Sequence, residues 1–136
     1  MAFARIIVTL VLMFTAAGCA SPRGPTCQVG EERAVSELLY FGTAKPDGTV
    51  TSDEWSAFLG TSVTPRFPHG LTVWQASGQW TGADGTIVRE SSFVLNLLHA
   101  DDERAENAVR AVAAEYKSRF SQEAVLRVKS HACTSF

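Results

Sequence analysis

Residues 87–120 read IVRESSFVLNLLHADDERAENAVRAVAAEYKSRF, and this stretch decides the fold. In its first part, Ile87 to His99, apolar residues occupy both alternating sets of positions, which is typical of a central strand covered on both faces. In its second part, apolar residues recur every three or four positions and predict one buried helix stripe: Ala105, Val109, Val112, Tyr116 and Phe120. Asp101 is the predicted cap of this helix. A central strand followed directly by an amphipathic helix indicates an α+β domain.

A second strand is expected before this stretch, from Leu71 to Trp80. The intervening residues 82–85 read GADG and contain an Asp-Gly dipeptide, which favours a tight turn between antiparallel strands. The two strands therefore form a predicted hairpin.

The N-terminal half contains a strand and a helix of its own. Residues 35–41 are short, apolar and aromatic, as in a buried strand, and residues 45–48 (KPDG) form a turn. Thr51 and Glu54 have the spacing of a capping box and predict a helix start, and Pro65 ends that helix. A last strand is predicted over residues 124–129.

The predicted element order is β-α-β-β-α-β. Two helices on one face of a four-stranded antiparallel sheet form the ferredoxin-like arrangement, which is the α+β fold expected here. The other face of that sheet must be covered by a ligand or by a second copy of the chain. We therefore expect a homodimer through the open sheet face, or a bound ligand there.

The first nineteen residues indicate export. Arg5 precedes a short apolar run, and small residues then lead to Cys19 in the sequence AAGC. This pattern resembles the lipobox of bacterial lipoproteins, in which the cysteine is acylated and the peptide is cut before it. The run is too short for a membrane span of about 20 residues, and an ordinary secretory signal cut elsewhere, for example after Ala20, is the other alternative.

The lipobox resemblance divides the chain into three parts: a signal peptide over 1–18, a lipidated Cys19 with a flexible tether over 19–33, and the folded domain over 34–136. Ala20 follows the cysteine, which by resemblance to Gram-negative lipoproteins favours the outer membrane, facing the periplasm. The expected membrane partner is thus the bilayer that holds the lipid on Cys19.

Two further cysteines remain, Cys27 and Cys133. An exported protein meets an oxidising compartment, so a disulfide between them is the default expectation. A metal site is the rival, but it lacks the Cys-x-x-Cys spacing of such sites, and no metal or cofactor is predicted. The formal net charge of −2 and the lack of a basic cluster argue against nucleic-acid binding.

Several segments together resemble a known bacterial family. These are TPRFPHGLTV at 64–73, EWSAFL at 54–59, GQW at 78–80, ELLYFG at 37–42, and the closing YK at 116–117 with VLRV at 125–128. They are similar to the domain-of-unknown-function family 3574 over about residues 33–136. The resemblance implies a small exported bacterial protein, and it implies no activity and no catalytic residue.

The loop Thr64–Gly70 is the first candidate for a ligand site. Its two prolines hold Arg66 and His69 with little freedom left to lose on binding, and an Arg guanidinium suits a carboxylate or phosphate. Glu54 and Trp80 complete the candidate set. The alternative is a rigid connector, in which Arg66 pairs locally and Phe67 lies in the core.

The leading functional hypothesis is a lipid-anchored envelope protein that binds a partner or a small ligand. The rival is a small cofactor-free enzyme of the dimeric α+β barrel type, monooxygenase- or isomerase-like. That enzyme requires an enclosed pocket lined by at least two of Arg66, His69, Glu54 and Trp80. No nucleophile elbow, Walker loop or dinucleotide motif is present in the sequence, so no catalytic residue is assigned.

Overall fold

The computed structural model describes residues 24–81 and 83–136. The predicted signal peptide, Cys19 and the start of the tether lie outside the described residues. Within those residues, no helix is both long enough and apolar enough to cross a membrane.

The fold is α+β and ferredoxin-like, as predicted. Four long strands form one antiparallel sheet: β1 (Glu32–Gly42), β4 (Thr72–Thr81), β5 (Ile87–His99) and β6 (Leu126–Thr134), in the order β4-β5-β1-β6. Two helices accompany it, α1 (Ser52–Phe58), which continues into a π-helical turn over Leu59–Val63, and α2 (Glu103–Phe120). The predicted turn at 45–48 is part of a small extra hairpin formed by β2 (Ala44–Lys45) and β3 (Gly48–Thr49).

Each α-helix begins where a side chain accepts a hydrogen bond from the backbone of the first helical turn. At α1 the predicted capping box is present, because Thr51 accepts from the Glu54 amide and Glu54 accepts from the Thr51 amide. The predicted cap of α2 was wrong by one residue. Asp102 is the cap and accepts from the Ala105 amide at 2.7 Å, which leaves the Asp101 carboxylate free to pair with His131.

The last strand is longer than predicted. It continues beyond Lys129 to Thr134, because residues 130–134 pair with the first residues of β1 from Glu32 onward. A disulfide joins Cys27 to Cys133, with 5.4 Å between the two Cα atoms. The predicted cysteine pairing is thus present, and it ties the segment before β1 to the end of β6.

The core lies between the helices and one face of the sheet. Its centre is an aromatic cluster in which the Trp55 and Phe93 rings stack at 4.7 Å and the Phe41 and Tyr116 rings meet edge to face at 4.6 Å. The Tyr116 hydroxyl donates to the Gly42 carbonyl at 2.9 Å, and burial is the main cause that raises the pKa of this phenol. Trp55 and Phe41 are therefore core residues.

One carboxylate is buried inside this core. The side chain of Glu37 is 1% exposed and accepts from the Arg127 guanidinium and from His99 Nε2, the latter at 3.2 Å. The other ring nitrogen of His99 lies 2.8 Å from the Ala100 carbonyl. Arg127 also pairs with Glu106. Glu37 is thus held between Arg127 and His99.

Candidate functional site

The face of the sheet opposite the helices is open. Directly paired residues share a face, so the register places Leu126, Tyr40, Val94 and Trp74 in one row across the four strands. The next row contains Val128, Leu38, Asn96 and Thr72. Several large apolar side chains of this face are exposed: Trp74 by 44%, Trp80 by 50%, Leu98 by 47%, Leu126 by 61% and Val128 by 46%.

A cavity of about 710 Å³ lies at the end of this open face where β1 finishes. Its floor is made of small residues from three adjacent strands, since Gly42 pairs with Ser92, and Gly78 pairs with Glu90. Its walls come from two aromatic side chains, from the β2–β3 hairpin, from the loop after α2 and from the start of β6. The residues are, in that order, Tyr40 and Trp80, Lys45, Gln122 and Leu126. The register therefore creates a recess between larger neighbours.

Gly42 and Glu90 position each other at the floor. A Cβ atom on residue 42 would lie 2.6 Å from Glu90 Oε1 and 3.2 Å from Gln122 Oε1, closer than atoms approach without a shift. Glu90 Oε1 also accepts from the Ala44 amide at 3.0 Å. The missing side chain at Gly42 thus lets a carboxylate and an amide reach the same point at the edge of the cavity.

The wall of the cavity has a net negative charge. Its cation, Lys45, is engaged by Glu54 at 2.7 Å and by Asp47 at 3.9 Å. The hydrogen bond between Lys45 and Glu54 raises the pKa of the lysine and lowers the pKa of the carboxyl. Glu90 and Glu123 line the same space. The site therefore suits a neutral or positively charged ligand better than an anion.

The structure does not gather the four predicted site residues into one pocket. Trp80 lines the cavity, and Glu54 reaches it only through its ion pair with Lys45. Arg66 pairs instead with Glu115 at 3.2 Å and with the Ser62 carbonyl, and His69 is exposed to solvent. Of the four, only Trp80 lines the cavity, which therefore lacks the residue pair that the enzyme hypothesis required.

The loop that contains Arg66 has the contacts expected of a connector. Phe67 is only 8% exposed and packs in the core, while its amide donates to the Val63 carbonyl. These contacts match the alternative in which the two prolines stiffen a link between α1 and β4.

One group of potential metal ligands occurs among the described residues: Cys27, Cys133 and Glu31. The two sulfur atoms are bonded to each other, so this group has no thiolate to offer. The two cysteines of this group therefore act as a covalent cross-link between two segments of the chain.

The comparison with protein families settles the classification. The model of a family described as "Protein of unknown function (DUF3574)" matches residues 36–136. The chain belongs to the DUF3574 family. The resemblance noted in the sequence is thus confirmed, and no curated protein matches this DUF3574 chain.

Solved structures similar to the DUF3574 chain share its fold. A phage SAM lyase in complex with S-methyl-5'-thioadenosine has a TM-score of 0.57 and 15% identity, covering 82% of this chain and 95% of that one. The same kind of phage enzyme in its apo state has a TM-score of 0.55 and 16% identity, covering 83% and 97%. At this identity the likeness concerns the fold alone.

Sequence reasoning missed most of the cavity. Gly42, Gly78 and Glu90 lie far apart in the chain, and only the strand register brings them together. The one usable signal is that glycines within predicted strands often mark a close approach to a ligand or to another part of the chain.

Proposed function

We propose that this DUF3574 chain is a lipid-anchored binding protein of the bacterial cell envelope, held in the outer membrane by Cys19 and facing the periplasm. The observation that carries the binding proposal is the cavity on the open sheet face, with aromatic walls and a carboxylate at its floor. Its volume of about 710 Å³ falls within the range of small-molecule sites.

The position of the cavity supports this arrangement. The disulfide ties the N-terminal segment to the end of β6, which is paired with the start of β1, whereas the cavity lies where β1 ends at Gly42. A strand rises about 3.3 Å per residue, so β1 separates the two by roughly 30 Å. A tether at the N-terminal end would thus present the cavity away from the membrane.

The ligand we propose is flat, of nucleoside size, and neutral or positively charged. Tyr40 and Trp80 offer aromatic surfaces, on which planar rings stack and cations are attracted. Glu90 and Gln122 supply a carboxylate and an amide oxygen as acceptors at the edge of such a ring, while the Gln122 NH2 group donates to the Ala44 and Phe120 carbonyls. S-methyl-5'-thioadenosine, bound by the phage enzyme of similar fold, is the natural first probe.

Titration calorimetry of the mature protein with S-methyl-5'-thioadenosine tests the binding proposal. We expect saturable binding, and a weakening of about tenfold in Glu90→Gln, which corresponds to about 1.4 kcal/mol. Glu103→Gln, at an exposed position in the first turn of α2, is the matched control and should bind as the parent does. Absence of heat at millimolar probe, or equal loss in both variants, contradicts the proposal.

The anchor is tested separately by mass spectrometry of protein extracted from membranes. The parent should have the mass of an acylated chain that begins at Cys19, and Cys19→Ser should lose both the acyl mass and the membrane association. An unchanged acylated mass in Cys19→Ser rules out lipidation at that residue.

A further inference from the structure

We propose that the open sheet face is an interface between two copies of this chain, packed face to face. The face is almost free of charge: Glu32 and Glu90 lie at its two ends, and the rows between them contain apolar, hydroxyl, amide and glycine residues only. Interface cores are depleted of charge in the same way. The opposite face has the buried ion pairs of Glu37 and Arg127.

The lack of charge favours a second copy over a different partner. In a two-fold interface the same patch meets itself, so any charge in its centre would face a like charge. Here the central rows of one copy offer leucine, valine, tyrosine and tryptophan to the same rows of the other copy, and no charge repulsion arises between them. A partner with a charged surface would find no complementary charge there.

The area is sufficient for a specific contact. Strands are spaced about 4.8 Å apart and rise about 3.3 Å per residue, so four strands of about nine residues cover roughly 570 Å² per copy. Two copies would bury about 1,100 Å² of flat area before side-chain relief is counted, which exceeds the roughly 1,000 Å² that a specific interface needs.

Two copies packed face to face can have their two-fold axis along the strands or across them. The membrane anchor selects between these two axes, and this step alone rests on the function proposed above. A two-fold axis along the strands keeps both N-terminal tethers at the same end, as attachment to one membrane requires. That rotation reverses the strand order, so β4 of one copy lies over β6 of the other. Because Trp74 and Leu126 lie at opposite ends of one row, Trp74 then meets Leu126 of the second copy, and the two cavities face each other.

Site-directed photo-crosslinking in the full-length chain, in membranes, tests the interface. A photoreactive phenylalanine analogue in place of Trp74 should give a covalent dimer at twice the mass of the chain. The same analogue in place of Val73, the neighbouring residue on the other face of β4 and itself 36% exposed, is the control and should give none. The tryptic peptide crosslinked to residue 74 should span residues 120–127 and contain Leu126.

Each other result contradicts a defined part of the proposal. Monomer alone from position 74, equal yields from 73 and 74, or an adduct with a protein of another mass overturns the interface. A dimer whose crosslinks join β4 to β4 supports the interface and overturns the axis. Val128→Glu, which places a charge at an exposed position of the face, should lower the crosslinking yield at least tenfold while the Cys27–Cys133 bond stays intact. An undiminished yield also overturns the interface. None of these outcomes depends on the binding of S-methyl-5'-thioadenosine.

Discussion

Neutralising the buried carboxylate of Glu37 should strongly destabilise the domain. In Glu37→Gln the side chain keeps its shape but loses its charge, while Arg127 and His99 stay where they are. Removing one partner of a buried ion pair costs about 3–5 kcal/mol. The lower end applies here, because Arg127 is 24% exposed and keeps its pairing with Glu106.

We therefore expect a loss of about 3 kcal/mol in the free energy of unfolding, or roughly 15 °C in melting temperature for a domain of this size. Guanidinium unfolding followed by circular dichroism measures this loss, and Glu103→Gln serves as the exposed control with a change under about 0.5 kcal/mol. Replacing Glu37, Arg127 and His99 together by leucine should recover much of the loss, because no charge is then left buried. A cost below about 1 kcal/mol for Glu37→Gln would refute this reasoning.

Three further predictions concern the framework. Replacing Cys27 and Cys133 by serine should lower the free energy of unfolding by up to about 4.7 kcal/mol, since the bond closes a loop of order 100 residues in the unfolded chain. Denaturant midpoints of the parent with and without reductant measure this loss, and equal midpoints would contradict the prediction. The pKa of the Glu106 carboxyl is lowered to about 2 by Arg127 and then by Arg110, so its stabilisation is complete above the ordinary value of 4.5 and is lost as the pH falls toward 2. Glu106→Gln should therefore remove about 1 kcal/mol at pH 7, after screening, and flatten the acid limb of the stability curve; an unchanged acid limb argues against this role. Tyr116→Phe should cost about 1–2 kcal/mol because the Gly42 carbonyl loses its donor, as thermal unfolding can check; a cost near zero shows that water replaces the hydroxyl.

Local signals were sufficient to predict the order of the four long strands and the two α-helices. The capping box at Thr51, the turn before Ile87 and the apolar stripe of α2 are each contained within a few residues, so they could be identified without the tertiary structure. The shift of the α2 cap from Asp101 to Asp102 is a one-residue choice between two adjacent good caps. Which of them caps depends on the competing pairing with His131.

The buried ion pair and the cavity both depend on contacts between distant parts of the chain. Glu37 looks like an ordinary strand residue until the register places Arg127, ninety residues later, against its carboxylate. The cavity likewise exists only because Gly42 is opposite Ser92 and Gly78 is opposite Glu90. Arg66 attracted attention because prolines make its loop distinctive in sequence, but the prolines serve a connector. The loop with distinctive local composition and the cavity are therefore separate features of this chain.

The most direct test of the ligand site is an amide chemical-shift map of the ¹⁵N-labelled mature protein titrated with S-methyl-5'-thioadenosine. We predict that the largest shifts occur at Gly42, Gly78 and Glu90, with the indole signal of Trp80 moving in parallel. Shifts confined to the loop Thr64–Gly70, or no shifts at millimolar probe, would contradict the assignment of the site to the open sheet face.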